Sequence, residues 1–164
     1  MSPNLRAFLD MIAYSELGPD ILAQSDNGYD VLVGSTAHEV HLFDSYADHP
    51  RERITLTVKA KDGTRMTITS TAAGRYQELE RYFDVYRMQL GLPDFGPDSQ
   101  DLIAIQMIRE CRAIGDIEAG AFDRAVTKCA SRWASLPMAG YGQHENDMGD
   151  LRAAYVAAGG IVAA

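Results

Sequence analysis

Glu16 is the residue of this sequence whose setting most invites chemistry. Leu5, Phe8, Leu9, Ile12 and Ala13 recur at the i, i+3, i+4, i+7 and i+8 positions of an amphipathic helix, while Asn4, Arg6 and Asp10 fall off that face. Glu16 is the next position of the apolar series. At about 100° per residue it shares its azimuth with Leu5 and Ile12, so the pattern predicts an acid turned inward. Gly18 and Pro19 follow and are predicted to stop the helix, which puts Glu16 in the last turn. Unpaired carbonyls there and partial burial both disfavour the charged carboxylate and raise its pKa. A carboxyl group that stays protonated near neutral pH is what a general acid needs, and cleavage of a glycosidic bond is the commonest reaction built on one. The plain alternative is a last-turn glutamate that curls to solvent or pairs with Arg6 or Arg75, and the residues alone leave both open.

A hydrolase of the two-carboxylate kind needs a partner across the scissile bond. Asp20, Asp26, Asp30, Asp44 and Asp48 all follow, and none is set apart by spacing; Asp26 and Asp30 also read as ordinary turn and strand-edge residues. Thr71-Ala72-Ala73-Gly74-Arg75-Tyr76-Gln77 is a second stretch of interest. Small residues and a glycine let backbone approach a ligand, and helix-start amides with Gln77 could bond to it; the alternative is a strand-to-helix connection whose Tyr76 packs in the core. Ala139-Gly140-Tyr141-Gly142-Gln143 presents an aromatic ring and an amide, a pairing common in sugar sites and in loops generally. His38-Glu39-Val40-His41 resembles a zinc motif but fails on spacing, because its histidines stand three apart in a segment without helical period. Neither a metal site nor a cofactor is expected, and no phosphate-cradling loop or nucleophile elbow occurs.

The elements that must position these residues read as follows. Ser2 and Pro3 cap and open the first helix. Asp26-Asn27-Gly28 is a turn, Tyr29 to Val33 alternates as a short strand, and residues 35 to 53 form a long loop with one small strand near Leu42 to Tyr46. Ile54, Leu56 and Val58 alternate with threonines, Lys61-Asp62-Gly63 turns the chain, and Met66 and Ile68 alternate back as a β-hairpin. From Thr71 onward the chain reads as helical. Tyr76, Leu79, Tyr82, Phe83, Tyr86 and Leu90 mark one helix ending at Gly91; Asp98 or Ser99 caps a second, apolar nearly all round. Phe122, Ala125, Val126, Cys129 and Trp133 form a third stripe, and a last helix runs from Met148 to Gly159-Gly160. This is an α+β plan: a helical body (1–28 and 71–164) and a small antiparallel β lobe (about 29–70) with a cleft between them, suited to an elongated ligand.

With 164 residues, 46% hydrophobic and 23% charged, the chain suits one domain. A net charge of -8 argues against a grip on nucleic acid or anionic lipid. Cys111 and Cys129 fall on apolar faces with no zinc or redox spacing, as free thiols of a reducing compartment do. Charges interrupt the N-terminal apolar residues before a secretory signal accumulates, and no apolar run is long enough to span a membrane.

Ala7 to Glu16, Asn27 to Gly34, Tyr46 to Arg51, Ala73 to Gln77, Trp133 to Pro137 and Ala139 to Gln143 resemble, in this order, the endolysins of lambda-like bacteriophages. The resemblance runs over nearly the whole chain. It implies a lysozyme-like fold and a lytic transglycosylase that cuts the β-1,4 bond between N-acetylmuramic acid and N-acetylglucosamine without water. Glu16 takes the place of the catalytic glutamate, first as acid to the leaving oxygen and then as base to the C6 hydroxyl, closing a 1,6-anhydro ring without a second carboxylate. Tyr76, Gln77, Ser70 and Thr71, with Tyr141 and Gln143, are implied to line the glycan groove. A monomer made in the host cytoplasm and released to the periplasm by a holin lesion is implied as well. Leu17 follows Glu16 where the family prototype has glycine, and the hairpin from Thr55 to Ser70 is longer. The competing readings are a hydrolytic muramidase using Glu16 with Asp26 or Asp30, and a non-catalytic glycan-binding module.

Overall fold

The structure, a computed structural model, describes residues 1–59, 63–140 and 145–163. Its first helix, α1 (Pro3–Ala23), starts where Ser2 predicts: the Ser2 hydroxyl accepts the Leu5 amide at 3.1 Å. Leu5, Phe8, Leu9, Ile12 and Ala13 are buried as the apolar series requires. Gly18 breaks the helix at φ 76°, ψ 161°. That conformation is closed to most side chains. The break is not the predicted end, however. Pro19, whose fixed φ suits a first helical turn, restarts the winding as far as Ala23.

The strand expected over Tyr29 to Val33 is absent as a ladder. Val31 and Leu32 enter single bridges with Leu42 and Ala73, because successive residues pair with different segments: Leu32 N–H with His41 O at 2.8 Å, Val33 N–H with Ala72 O at 3.0 Å. The small strand near Leu42 shrinks to that one bridge for the same reason. The hairpin is present. β1 (Ile54–Lys59) and β2 (Arg65–Ser70) pair antiparallel from Ile54 opposite Ser70 to Lys59 opposite Arg65. Of its predicted turn, Lys61 and Asp62 lie outside the described residues.

The helix expected from Tyr76 starts later, as α2 (Glu80–Leu90). Gly74 at φ 76° and Gln77 at φ 51° cannot be helical, so Tyr76 belongs to the connection. Gly91 ends α2 in the left-handed region, its amide bonded to Arg87 O, as its glycine predicts. α3 (Pro97–Glu110) begins ahead of the predicted caps. Its entry is fixed by Asp94, which accepts the Gly96 amide at 2.9 Å and the Ser99 hydroxyl at 2.7 Å. Leu102 is 50% exposed, so α3 is not apolar all round. α4 (Ile114–Glu118) is too short to leave a period in the sequence. α5 (Phe122–Cys129) stops before Trp133, which is buried beyond it, and α6 (Met148–Ala157) ends before the predicted glycines.

Six helices and one two-stranded antiparallel sheet among the described residues make the fold α+β. The chain forms two compact units, Met1–Ser15 with Ile105–Ala164, and Glu16–Ala104. The first is centred on Phe8, Phe122 and Tyr155, with the latter two rings 4.9 Å apart. The second has Phe43, His49, Phe83 and Phe95 around one point, with Leu17, Ile21 and Val31 as a further cluster. Cys111 and Cys129 are free thiols of the first unit. A hydrogen bond with Cys129 draws the Cys111 thiol down to about 6, and the same contact pushes Cys129 up.

Candidate active site

Glu16 stands two residues before the Gly18 break and is half-buried. The turn that carries it faces a backbone problem. A helical Ser15 carbonyl would accept from residue 19, but Pro19 has no N–H. Within the first unit Asn146 fills that place: its Nδ2 donates to Ser15 O at 3.0 Å, to Ser15 Oγ at 3.1 Å and to Ser135 O at 3.2 Å. The Ser15 and Ser135 hydroxyls meet at 2.8 Å, and the Asn146 amide donates to Ser135 O at 2.8 Å. The residue next to the acid is thereby held at both its carbonyl and its side chain. Sequence reasoning did not find Asn146 or Ser135; the signal was the orphan carbonyl that a proline four residues on must create.

The glycine stretch is the second part. Gly74 is buried, and a Cβ there would lie 2.2 Å from Gln100 Oε1. Gln100, itself buried on α3, accepts the Arg75 amide at 2.8 Å and donates to Tyr29 O and Phe95 O at 2.9 and 2.8 Å. The Gly74 amide donates to Val31 O at 2.8 Å, and Ala73 and Glu78 exchange two backbone bonds. The Arg75 guanidinium donates to Asn27 O and lies 5.1 Å over the Tyr29 ring. Tyr76 is buried, its hydroxyl donating to Asp101 at 2.6 Å beside that of Tyr29 at 2.9 Å. Burial first, then the Asp101 charge, pushes the Tyr76 phenol well above its ordinary value, so it stays a donor. Its place is that of a support beneath the loop.

Gln77 is half-buried and donates back to Gly74 O at 3.0 Å. Ser70, at the end of β2, accepts the Ala72 amide at 3.2 Å, and Thr71 Oγ1 accepts the Glu80 amide at 3.2 Å at the start of α2. Glu16, Ser70, Thr71, Tyr76 and Gln77 thus belong to one compact unit. Tyr141 and Gln143 lie outside the described residues. The chain before them is held by Glu145, which accepts the Met138 and Gly140 amides at 3.1 Å each. Asp26 and Asp30 behave as turn residues: Asp30 accepts the Asp26 amide at 2.9 Å, and Asp26 accepts the Tyr46 hydroxyl at 2.7 Å. His38 and His41 are exposed.

A half-buried carboxyl on a helix turn with fixed backbone, in the same unit as a rigid glycine loop and two hydroxyl side chains, can deliver a proton to an oxygen of a bound polyol. The chain is similar to known proteins. A sequence profile described as endolysin matches residues 6–162. The endolysin of Escherichia phage lambda is 48% identical over 159 residues, covering 96% of this chain and 92% of that one. The endolysin of Escherichia phage P2 is 45% identical over 160 residues, covering 98% and 95%. The structure of bacteriophage lambda lysozyme complexed with a chitohexasaccharide superposes with a TM-score of 0.86 at 45% identity, covering 99% of this chain and 98% of that one. A second structure of lysozyme from bacteriophage lambda gives 0.82 at 44% identity, with the same shares covered.

Proposed function

The chain belongs to the endolysin family, phage enzymes of lysozyme-like fold that break down peptidoglycan in host lysis, and from that premise we propose that it acts as a lytic transglycosylase with Glu16 as its acid and base. The observation that carries the reading is the immobilised turn at Ser15 and Glu16: a proton donor must be within hydrogen-bond reach of the leaving oxygen, and its backbone is fixed by Asn146. The Glu16 carboxyl gives its proton to the glycosidic oxygen as the bond from muramic C1 to that oxygen breaks. The resulting carboxylate then takes the proton of the muramic C6 hydroxyl as O6 bonds to C1. Protons balance, no water is consumed, and no second carboxylate is required. The turn roles of Asp26 and Asp30 agree with that economy.

The Gly74 loop, Ser70, Thr71 and Gln77 contribute to glycan binding, Tyr76 holds that loop from beneath, and Tyr141 and Gln143 are further glycan-binding residues. The chitohexasaccharide in the related lysozyme supports a β-1,4 glycan as ligand. No helix among the described residues is long and apolar enough to cross a membrane. A monomer that reaches the periplasm through a phage-made lesion fits that fact. Glu16→Gln tests the assignment. It should leave thermal unfolding nearly unchanged and lower lysis of permeabilised Gram-negative cells on the order of 10³-fold. Undiminished lysis by the variant removes Glu16 from the chemistry. Mass spectrometry of the wild-type digest should show 1,6-anhydro-muropeptides, and new reducing ends in their place would establish a hydrolase.

A further inference from the structure

A cavity of about 570 Å³ opens between the end of β2 and the first turn of α2, wholly within the second unit. Its walls include Ser70 and Thr71 as well as Ile68 and Leu79, with Arg53 and Arg81 and two acids, Glu80 and Asp84. The acids are occupied. Arg51, held at φ 56°, donates to Glu80 Oε1 at 3.2 Å and to Asp84 at 2.6 and 3.1 Å, and also reaches Asp48. Arg53 and Arg81 form no ion pair among the described residues; Arg81 meets only the hydroxyl and ring of Tyr82, and both guanidinium groups are exposed. The formal charges of the cavity wall balance, but its two acids are bonded to Arg51, which leaves the Arg53 and Arg81 guanidinium groups as the wall charges without a carboxylate partner among the described residues.

We propose that this cavity binds the acidic peptide stem carried by the muramic acid residues of the glycan strand, with Arg53 and Arg81 meeting its carboxylates. Ile68 and Leu79 offer a half-buried apolar floor for small side chains of the stem. Guanidinium groups suit carboxylates by their paired donors. The inference rests on the peptidoglycan reading, since Ser70 and Thr71 border both the cavity and the expected glycan site. It assigns substrate preference to residues that take no part in proton transfer.

The test compares soluble glycan strands bearing peptide stems with the same strands stripped by a muramoyl-alanine amidase. Cleavage is followed by chromatography for wild type and for the Arg53→Gln, Arg81→Gln double variant. Wild type should show the lower KM on stem-bearing strands. The variant should raise that KM roughly three- to tenfold with kcat within twofold, and leave the stripped strands unaffected. An equal loss on both substrates, or no change on stem-bearing strands, overturns the stem site while the glycan-cleaving reading stands. Failure of wild type to cut either substrate overturns both.

Discussion

The Gly74 loop and the β1–β2 hairpin adjoin in sequence and are built on opposite principles. Residues 73 to 78 are held by a buried glutamine side chain, a reciprocal backbone pair and an arginine bonded to a distant carbonyl, and the amides of Ala73, Gly74, Arg75, Gln77 and Glu78 all have partners at 2.8 to 3.1 Å. The hairpin has its own ladder: in β1 half-buried Ile54, Leu56 and Val58 alternate with exposed threonines, while in β2 Ile68 and Ser70 are half-buried and Met66 is exposed. Its footing is a close approach of Leu56 and Ile54 to Gly34, where a Cβ would lie 2.7 and 3.7 Å from them. A loop fixed from several sides holds one geometry against a ligand. A ladder with one threonine face in water tolerates changes in length and side chain.

The largest effect should come from placing a methyl group in the fixed loop. Gly74→Ala adds a clash with Gln100 at a positive φ, and should cost about 3 kcal/mol or more in urea unfolding. A loss below about 1 kcal/mol would show that the loop is far less constrained than described.

Acid loosens the same region without substitution. His49 is buried, its ring 4.7 Å from that of Phe95 and tilted by 53°; its Nδ1 accepts the Arg51 amide at 3.0 Å, leaving Nε2–H to donate to Glu78 O at 3.0 Å. Burial, the largest cause, disfavours its cation and lowers its pKa. The unfolded chain therefore binds the proton first. His49 contributes its full stability above the ordinary value of 6.5 and loses it as pH falls from there through its lower folded value. Hydrogen bonds from Arg51 hold the Asp84 carboxyl low, and its contribution is lost only in the more acidic range below 3.8. Stability measured between pH 7.5 and 5 should thus decline in wild type and decline less in His49→Gln; parallel curves would separate His49 from the effect. The smallest effect belongs to the hairpin. Thr67→Ala, exposed and opposite Thr57, should cost about 0.5 kcal/mol or less, and a loss near that of Gly74→Ala would erase the contrast.

Local signals carried much of this structure into the sequence. Ser2 and Pro3 marked the start of α1, Gly91 the end of α2, and threonine alternation the hairpin, because each depends on neighbours a few residues away, while Gly18 reads as an end where the helix is only interrupted. The half-buried place of Glu16, two residues before that glycine, was legible for the same reason. What stayed hidden depends on distant partners. Tyr29 to Val33 has strand chemistry but divides its bonds among three segments, and Tyr76 has helical spacing but sits where Gly74 and Gln77 turn the chain. Gln100 falls on the buried side of α3, with Ala104 and Met107 following at helical spacing, and only its companions show why a polar residue belongs there.

Ser15 and Asn146 are 131 positions apart, so the bond between them closes a loop that takes in most of the polypeptide. Contacts of such long sequence separation are costly to form before the rest of the chain is in place. A growing polypeptide on the ribosome can wind α1 early, yet its acid-bearing turn lacks this clasp until synthesis has passed residue 146. Any copy that ends before residue 146 therefore lacks the hydrogen bonds that hold the Ser15 turn.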